Sequence, residues 1–259
     1  MININRVLPL AALLATAALP ALAQEEAVDA GWWLPGAFTG GVSLTNNYIF
    51  RGITQSDDDP AIQGNLLYTL DTGILGTSVY GGVWGSNVDF NDGDHAHVEL
   101  DWSFGLTGTI GETGIGWTLG GIYYDYPGAG QDNYWEVAPA FSYAPLDWLT
   151  LVGGLNYSPD NFNGTGQAWY PNGGIKIGIP VPKNWVTLTL EGYTGHQWVD
   201  KNAKFGADDY QDWRLGLSVG IKKNITLSAY YTDTNLDKHD CADSNNCDAR
   251  AVLAIGATF

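Results

Sequence analysis

The chain has 259 residues, of which 45% are apolar, 13% aromatic and only 15% charged, with 34 Gly. Its 28 acidic against 11 basic side chains give a formal net charge of −17, which excludes nucleic acid and anionic membrane surfaces as partners. Mean hydropathy is −0.10 and no long apolar run lies beyond the N-terminus, so a bundle of membrane-spanning helices is excluded. A soluble surface would carry nearer ~25% charged residues. Few charges, modest hydropathy and abundant Gly and aromatics together point to a transmembrane β-barrel.

In chain order, Arg6 precedes an apolar run from Val7 to Leu19 and then Ala21-Leu22-Ala23. That pattern predicts a signal peptide over 1–23, cleaved after Ala23. A short acidic segment, 24–35, follows, and 36–259 reads as one barrel domain. Throughout it, bulky apolar residues alternate with small or polar ones, the period of two that a strand uses and a helix cannot. Trp213-Arg214-Leu215-Gly216-Leu217-Ser218-Val219-Gly220 is the clearest case, and Val98-Glu99-Leu100-Asp101-Trp102-Ser103-Phe104 repeats it.

Such segments are predicted near 37–51, 61–70, 77–90, 97–109, 114–126, 133–144, 147–158, 168–179, 184–198, 210–222, 224–233 and 249–259. Twelve antiparallel strands joined up and down, with long connections at one end and tight turns at the other, place both termini on the periplasmic side. Trp117, Trp148, Trp185 and Phe259 beside the turns, and Trp84, Tyr123, Tyr134, Trp135, Trp169, Trp198, Tyr210 and Tyr231 toward the long connections, read as two interfacial belts. The last segment ends on Phe259, the terminal aromatic of bacterial outer-membrane barrels, where it resembles a signal read by the barrel-assembly machinery.

If the bulky face meets lipid, Arg51, Gln63, Asn65, Glu99, Asp101, Glu136, Lys176, Glu191, Arg214 and Arg250 point into the lumen. Charges of both signs there must pair or meet water, because a dry unpaired charge is too costly. Asp57, Asp58, Asp59, Asp89, Asp92, Asp94, Asp208 and Asp209 cluster in the long connections and make an acidic mouth. Such a mouth attracts cations, or loosely holds divalent ions that bridge lipopolysaccharide phosphates; its Asp residues also serve as ordinary turn formers. No run has metal-loop spacing, and no cofactor is expected.

Cys241 and Cys247 are the two cysteines, and an exported chain meets an oxidising compartment, so they read as one disulfide. His95, His97, His196 and His239 all fall at the outer rim or in loops, and no Gly-x-Ser-x-Gly elbow occurs, so an outer-membrane hydrolase is the weakest reading.

Asn47-Tyr48-Ile49-Phe50-Arg51-Gly52-Ile53-Thr54-Gln55-Ser56 and Asp59-Pro60-Ala61-Ile62-Gln63-Gly64 resemble the opening of the TorF family of proteobacterial porins. Trp84-Gly85-Ser86-Asn87-Val88-Asp89-Phe90, Glu99-Leu100-Asp101, Tyr123-Tyr124-Asp125-Tyr126-Pro127-Gly128 and Tyr134-Trp135-Glu136-Val137 extend the likeness across the first half of the domain. The resemblance implies a porin barrel in the outer membrane of a Gram-negative bacterium, in contact with lipid and lipopolysaccharide, and brings no substrate; the acidic mouth and mixed-charge lumen point to small cationic or neutral hydrophilic solutes. Arg51, Glu99, Asp101 and Glu136, which these matches place on the expected lumen face or rim, read either as a charged constriction that sets selectivity or as a structural salt-bridge network. The alternative is a plugged barrel with a structural or adhesive role through its Asp-rich loops.

Overall fold

The computed structural model describes residues 28–29, 35–91, 96–182, 185–222 and 224–259. The expected signal peptide, most of the segment 24–35, and Asp92 and Asp94 lie outside the described residues. Twelve strands make the wall: β1 Ala37–Thr45, β2 Ala61–Ile74, β3 Thr77–Asn87, β4 Val98–Thr109, β5 Ile115–Asp125, β6 Tyr134–Leu146, β7 Leu149–Ser158, β8 Ala168–Ile179, β9 Val186–Val199, β10 Tyr210–Ile221, β11 Ile225–Thr234 and β12 Arg250–Thr258. Each pairs antiparallel with its chain neighbours, and β12 pairs with β1 from Ala254↔Thr45 to Thr258↔Gly41, which closes the barrel.

A closed sheet leaves no strand edge unpaired, as a wall in a hydrocarbon medium requires. Alternation then sorts the side chains. On β10, Trp213, Leu215 and Leu217 face outward while Asp212, Gly216, Ser218 and Gly220 are buried inside. On β4, Trp102, Phe104 and Leu106 are outward, with Phe104 64% exposed, and Glu99, Asp101 and Thr107 are inward. Large apolar side chains exposed on strand after strand make a surface built for contact with hydrocarbon, far beyond the patches a water-soluble monomer shows.

Strand register assembles the belts. Trp102, Tyr123 and Trp135 are consecutive cross-strand partners on β4, β5 and β6, and Tyr157, Trp169 and Trp198 are partners on β7, β8 and β9. Trp148, Trp185 and Phe259 are exposed at the opposite end. Trp84, Tyr134 and Tyr210, expected in the belt, instead point inward and are buried. Each falls on the inward parity of its strand, which nearness to a long connection cannot reveal.

Connections alternate as expected. The turns at 75–76, 110–114, 147–148, 180–185 and 222–224 are short, and β1 begins and β12 ends on their side. At the other end lie the long loops 46–60, 88–97, 126–133, 159–167, 200–209 and 235–249, which carry the helical segments seen among the described residues, among them Asn202–Phe205. The largest departure concerns the first strand, expected over 37–51 but ending at Thr45. Alternation continues through Tyr48-Ile49-Phe50, but those side chains leave the wall to pack inside the barrel.

The β12–β1 seam is the thinnest in the wall. Above Thr45 the side chain of Asn46 stands in for missing ladder bonds: its Oδ1 accepts from the Leu253 N–H at 2.7 Å, and its own N–H donates to the Leu253 carbonyl at 3.1 Å. Asn46→Ala deletes the acceptor for Leu253, a loss of about 1 kcal/mol. The urea midpoint of the detergent-refolded barrel, followed by circular dichroism, is therefore expected to fall with the folded spectrum unchanged.

Candidate functional site

The site begins in the loop 46–60. Ile49–Phe50 and Ile53–Thr54 form a two-residue-armed hairpin, and its turn residues Arg51 (φ 48°) and Gly52 (φ 82°) both have positive φ. This is the geometry of a type I′ turn, which suits a following glycine. Gly52 is required for a second reason: a Cβ there would strike Thr234 Cγ2 and lie 3.0 Å from Asp212 Cβ. Asn47 organises the base of the loop, donating to Asp58 Oδ1 at 2.6 Å and accepting from Thr54 Oγ1 at 2.7 Å and Ser56 Oγ at 3.2 Å. The hairpin therefore enters the barrel as a preformed unit.

At its tip Arg51 crosses to the far wall. Its Nη2 donates to both carboxylate oxygens of Glu136 on β6, each at 2.8 Å, and its Nη1 donates to Gln197 Oε1 on β9 at 2.7 Å. The guanidinium lies 4.3 Å from the ring centre of Tyr170 on β8 and 4.6 Å from that of Phe50. Glu136 also accepts from the Tyr124 hydroxyl at 3.0 Å and from Asn156 Nδ2 at 2.8 Å. Side-chain exposure is 3% for Arg51 and 1% for Glu136. Charges this dry persist only when closely paired and hydrogen-bonded, and the contact of Nη2 with both carboxylate oxygens, flanked by amide, hydroxyl and ring faces, supplies most of that compensation.

Sequence reasoning placed Arg51 and Glu136 on the inner surface, and the structure brings them into direct contact. It did not find Gln197, Asn156 or Tyr170, neutral inward residues without any charge signal. Glu99 and Asp101 face inward on β4, with Glu99 Oε1 accepting from the Tyr126 hydroxyl at 3.1 Å. They make no direct hydrogen bond or ion pair with Arg51; Tyr48, Trp84, Tyr124 and Tyr126 form the buried ring cluster on this side of the lumen, and the Tyr124 hydroxyl donates to Glu136. Lys176 and Glu191 are cross-strand partners on β8 and β9. Arg214 on β10 packs 4.2 Å over the Tyr193 ring, with Lys176 Nζ 5.9 Å from the same ring. Gln63 is buried on β2, close enough to accept from Ser43 Oγ at 3.4 Å, and Asn65 lies two residues further along the same strand.

Arg250 sits at the rim instead of on the lumen wall. It pairs with Asp58 through Nε and Nη2 and donates to the carbonyls of Asn245, Asn246 and Asp248. It thus ties the first long loop to the last, which the Cys241–Cys247 disulfide closes on itself. Asp57, Asp59, Asp89, Asp208 and Asp209 are exposed around the same mouth. Among the described residues no group of His, Cys, Asp and Glu is arranged to hold a metal ion. His196 packs on Trp198 at 4.2 Å between ring centres, and Asp200 accepts from the Gln167 N–H at 3.1 Å.

Above the Arg51 pair, residues of all six long loops enclose a cavity of about 450 Å³. Phe90, Tyr126 and Phe162 form its most aromatic side, packed edge to face at 5.5–5.6 Å, and Arg51 and Gln197 are among the residues that line it.

Two outcomes are expected. Gly52→Ala displaces the hairpin by strain and collision, so limited proteolysis within 46–60 accelerates while the β-sheet spectrum is retained. The second concerns pH. The hydrogen bond from Arg250 holds the Asp58 carboxyl below its usual range, against the opposing effect of partial burial and with help from the guanidinium charge. A lowered folded value means the tie is fully formed above the ordinary Asp value of about 3.9 and is lost as pH falls through the folded value. Asp58 is half exposed, so the tie contributes at most about 1 kcal/mol. Pepsin cleavage of 46–60, taken relative to Asp58→Asn at each pH, should rise toward the variant's rate below about pH 4.

Three solved barrels are similar in fold. An outer-membrane channel from Pseudomonas putida F1 is 11% identical over 87% of this chain and 95% of its own, with a TM-score of 0.50. The KdgM porin is 8% identical over 86% and 98%, with a TM-score of 0.49. LpxR from Salmonella typhimurium is 11% identical over 85% and 99%, with a TM-score of 0.45. At these identities the likeness is one of fold alone. No curated protein sequence matches the chain. Residues 30–259 match the family described as "Bacterial protein of unknown function (Gcw_chp)", and the chain belongs to that family.

Proposed function

We propose that this protein is an outer-membrane channel through which small hydrophilic solutes, neutral or cationic, diffuse, and that its first-loop hairpin controls the opening. On this reading the wall spans the outer membrane of a Gram-negative bacterium, with the short turns and both termini in the periplasm and the acidic loops outside. The resemblance of 47–64 and later segments to TorF porins supports it. So does the exposed terminal Phe259, positioned for recognition by the assembly machinery. Exposed Asp residues at the mouth favour approach of cations, and divalent ions held there would bridge to lipopolysaccharide.

The observation that carries the reading is how the lumen is filled. Among the described residues the wall strands keep their ladders, and the backbone that enters the lumen is a separate hairpin held by the Arg51–Glu136 pair and by ring contacts with inward wall side chains such as Tyr124 and Tyr170. A wall with polar inward residues such as Thr107, Thr118, Ser218 and Thr226 is closed over its entire circumference without that hairpin. The same filling favours a second reading, a permanently plugged barrel whose Asp-rich loops bind a partner.

Planar-bilayer recording separates them. Wild type is expected to give small, brief openings, and Arg51→Ala or deletion of 48–55 to raise conductance severalfold with cation preference, which Glu99→Gln then reduces. Absence of channels in the deletion variant, with the barrel folded, decides for the plug.

A further inference from the structure

The cavity formed by the six long loops has a lining whose chemistry is narrower than that of a general vestibule. Its residues include Phe50, Phe90, Tyr126 and Phe162, and amide side chains from loops and wall, Asn91, Asn161 and Gln197 among them. Among the described residues the one formally charged lining side chain is Arg51, and its charge is already matched by Glu136. Arg51 keeps one donor in reserve: its Nε is buried without a hydrogen-bond partner.

That combination selects against charge. An anion must pass Asp57, Asp58, Asp59, Asp89, Asp208 and Asp209 at the rim, where the potential repels it. A cation that passes finds no carboxylate among the described lining residues and must leave its water unrepaid there, since rings alone contribute only about 0.5–2 kcal/mol. An uncharged ring with hydroxyls at its edge meets neither obstacle. Its C–H faces pack on aromatic faces, and each hydroxyl, a donor and an acceptor, pairs with an amide that is also both. The volume lies at the small end of ligand pockets, enough for a short oligosaccharide.

We infer that the cavity is a binding site for uncharged saccharides, gathered on the loop side of the Arg51 hairpin. The inference rests on the channel reading, in that the bound sugar is the solute presented for entry. Phe90, Tyr126 and Phe162 supply the stacking faces, and Asn91, Asn161 and Gln197 the polar contacts.

Isothermal titration of the detergent-refolded protein tests it with maltose, cellobiose, lactose and sucrose as uncharged probes, digalacturonate as an anionic probe and a glucosamine disaccharide as a cationic one. At least one uncharged sugar is expected to bind, and both charged probes at least about tenfold more weakly. Phe162→Leu, which keeps apolar bulk but loses the aromatic face, is expected to weaken that binding about tenfold with thermal unfolding unchanged. Asn91→Gly, at an exposed position whose positive φ of 51° glycine adopts freely, provides a second variant that removes the amide without straining the backbone. The inference is overturned if none of the four sugars binds, if a charged probe binds as well or better, or if both variants bind like wild type. Titration in micelles reads the cavity without conduction. Failed binding beside intact conductance in the 48–55 deletion therefore defeats this inference alone, and binding by a barrel that never conducts defeats the channel reading alone.

Discussion

The interior is organised by the contact between Arg51 and Glu136. An arginine cannot shed its proton, so burying it commits the surrounding structure to matching its charge. Glu136 does so from β6, and Tyr124 and Asn156 from β5 and β7 fix that carboxylate in turn. Removing one partner of such a pair typically costs about 3–5 kcal/mol, because the other is left charged and dry. The hairpin that carries Arg51 has two residues per arm, too few to hold itself in place. Its position depends on the charge at its tip, on the packing of its Phe50 against Tyr124 and of Arg51 on Tyr170, and on the bond from Thr54 to the last loop.

Around this contact the barrel divides into zones along its axis. Toward the loops the interior is dense with rings, Tyr124 and Tyr134 stacking at 4.3 Å and Tyr48 packing on Trp84 at 5.3 Å. Small residues dominate elsewhere on the inner wall, where Ala138, Ala140, Thr118 and Ser218 are buried. The acids Glu99, Asp101 and Glu136 come from β4 and β6, while β8, β9 and β10 carry the bases Lys176 and Arg214 together with the acids Glu191 and Asp212. Acids and bases are therefore mixed on the β8–β10 side, whereas the acids of β4 and β6 face only Arg51, brought in by the loop hairpin.

Much of the fold was legible because closure and alternation leave strong marks. Leu215 and Leu217 can face outward only if Gly216 and Ser218 face inward, and the spacing of turns reports the strand count. Arg51 was legible as an inward charge but not as the tip of a hairpin, since Tyr48-Ile49-Phe50 alternates as well in an inserted arm as in a wall. The Arg51-Gly52 pair was the available signal for a two-residue turn. Gln197, Asn156 and Tyr170 carried no such mark: an inward amide at a lone position resembles any other small polar residue. The ring-lined cavity was hidden for a related reason, because Tyr134 and Tyr210 sit near loops and only strand parity tells a belt residue from a lumen residue.

The rim contact of Arg250 with Asp58 has a bearing on how the barrel is completed. Every other strand pairing joins neighbours in the chain, whereas β12 meets β1 across the whole sequence, the costliest loop to close and the shortest ladder to reward it. Directly beyond that ladder stand Asn46 holding Leu253, Arg250 holding Asp58, and the Thr54 N–H donating to the Asn246 carbonyl at 3.0 Å. These contacts are available only once the two ends have met. They act as a clasp that fastens after the band has been drawn round, adding nothing to the encounter of the ends and acting entirely against their parting.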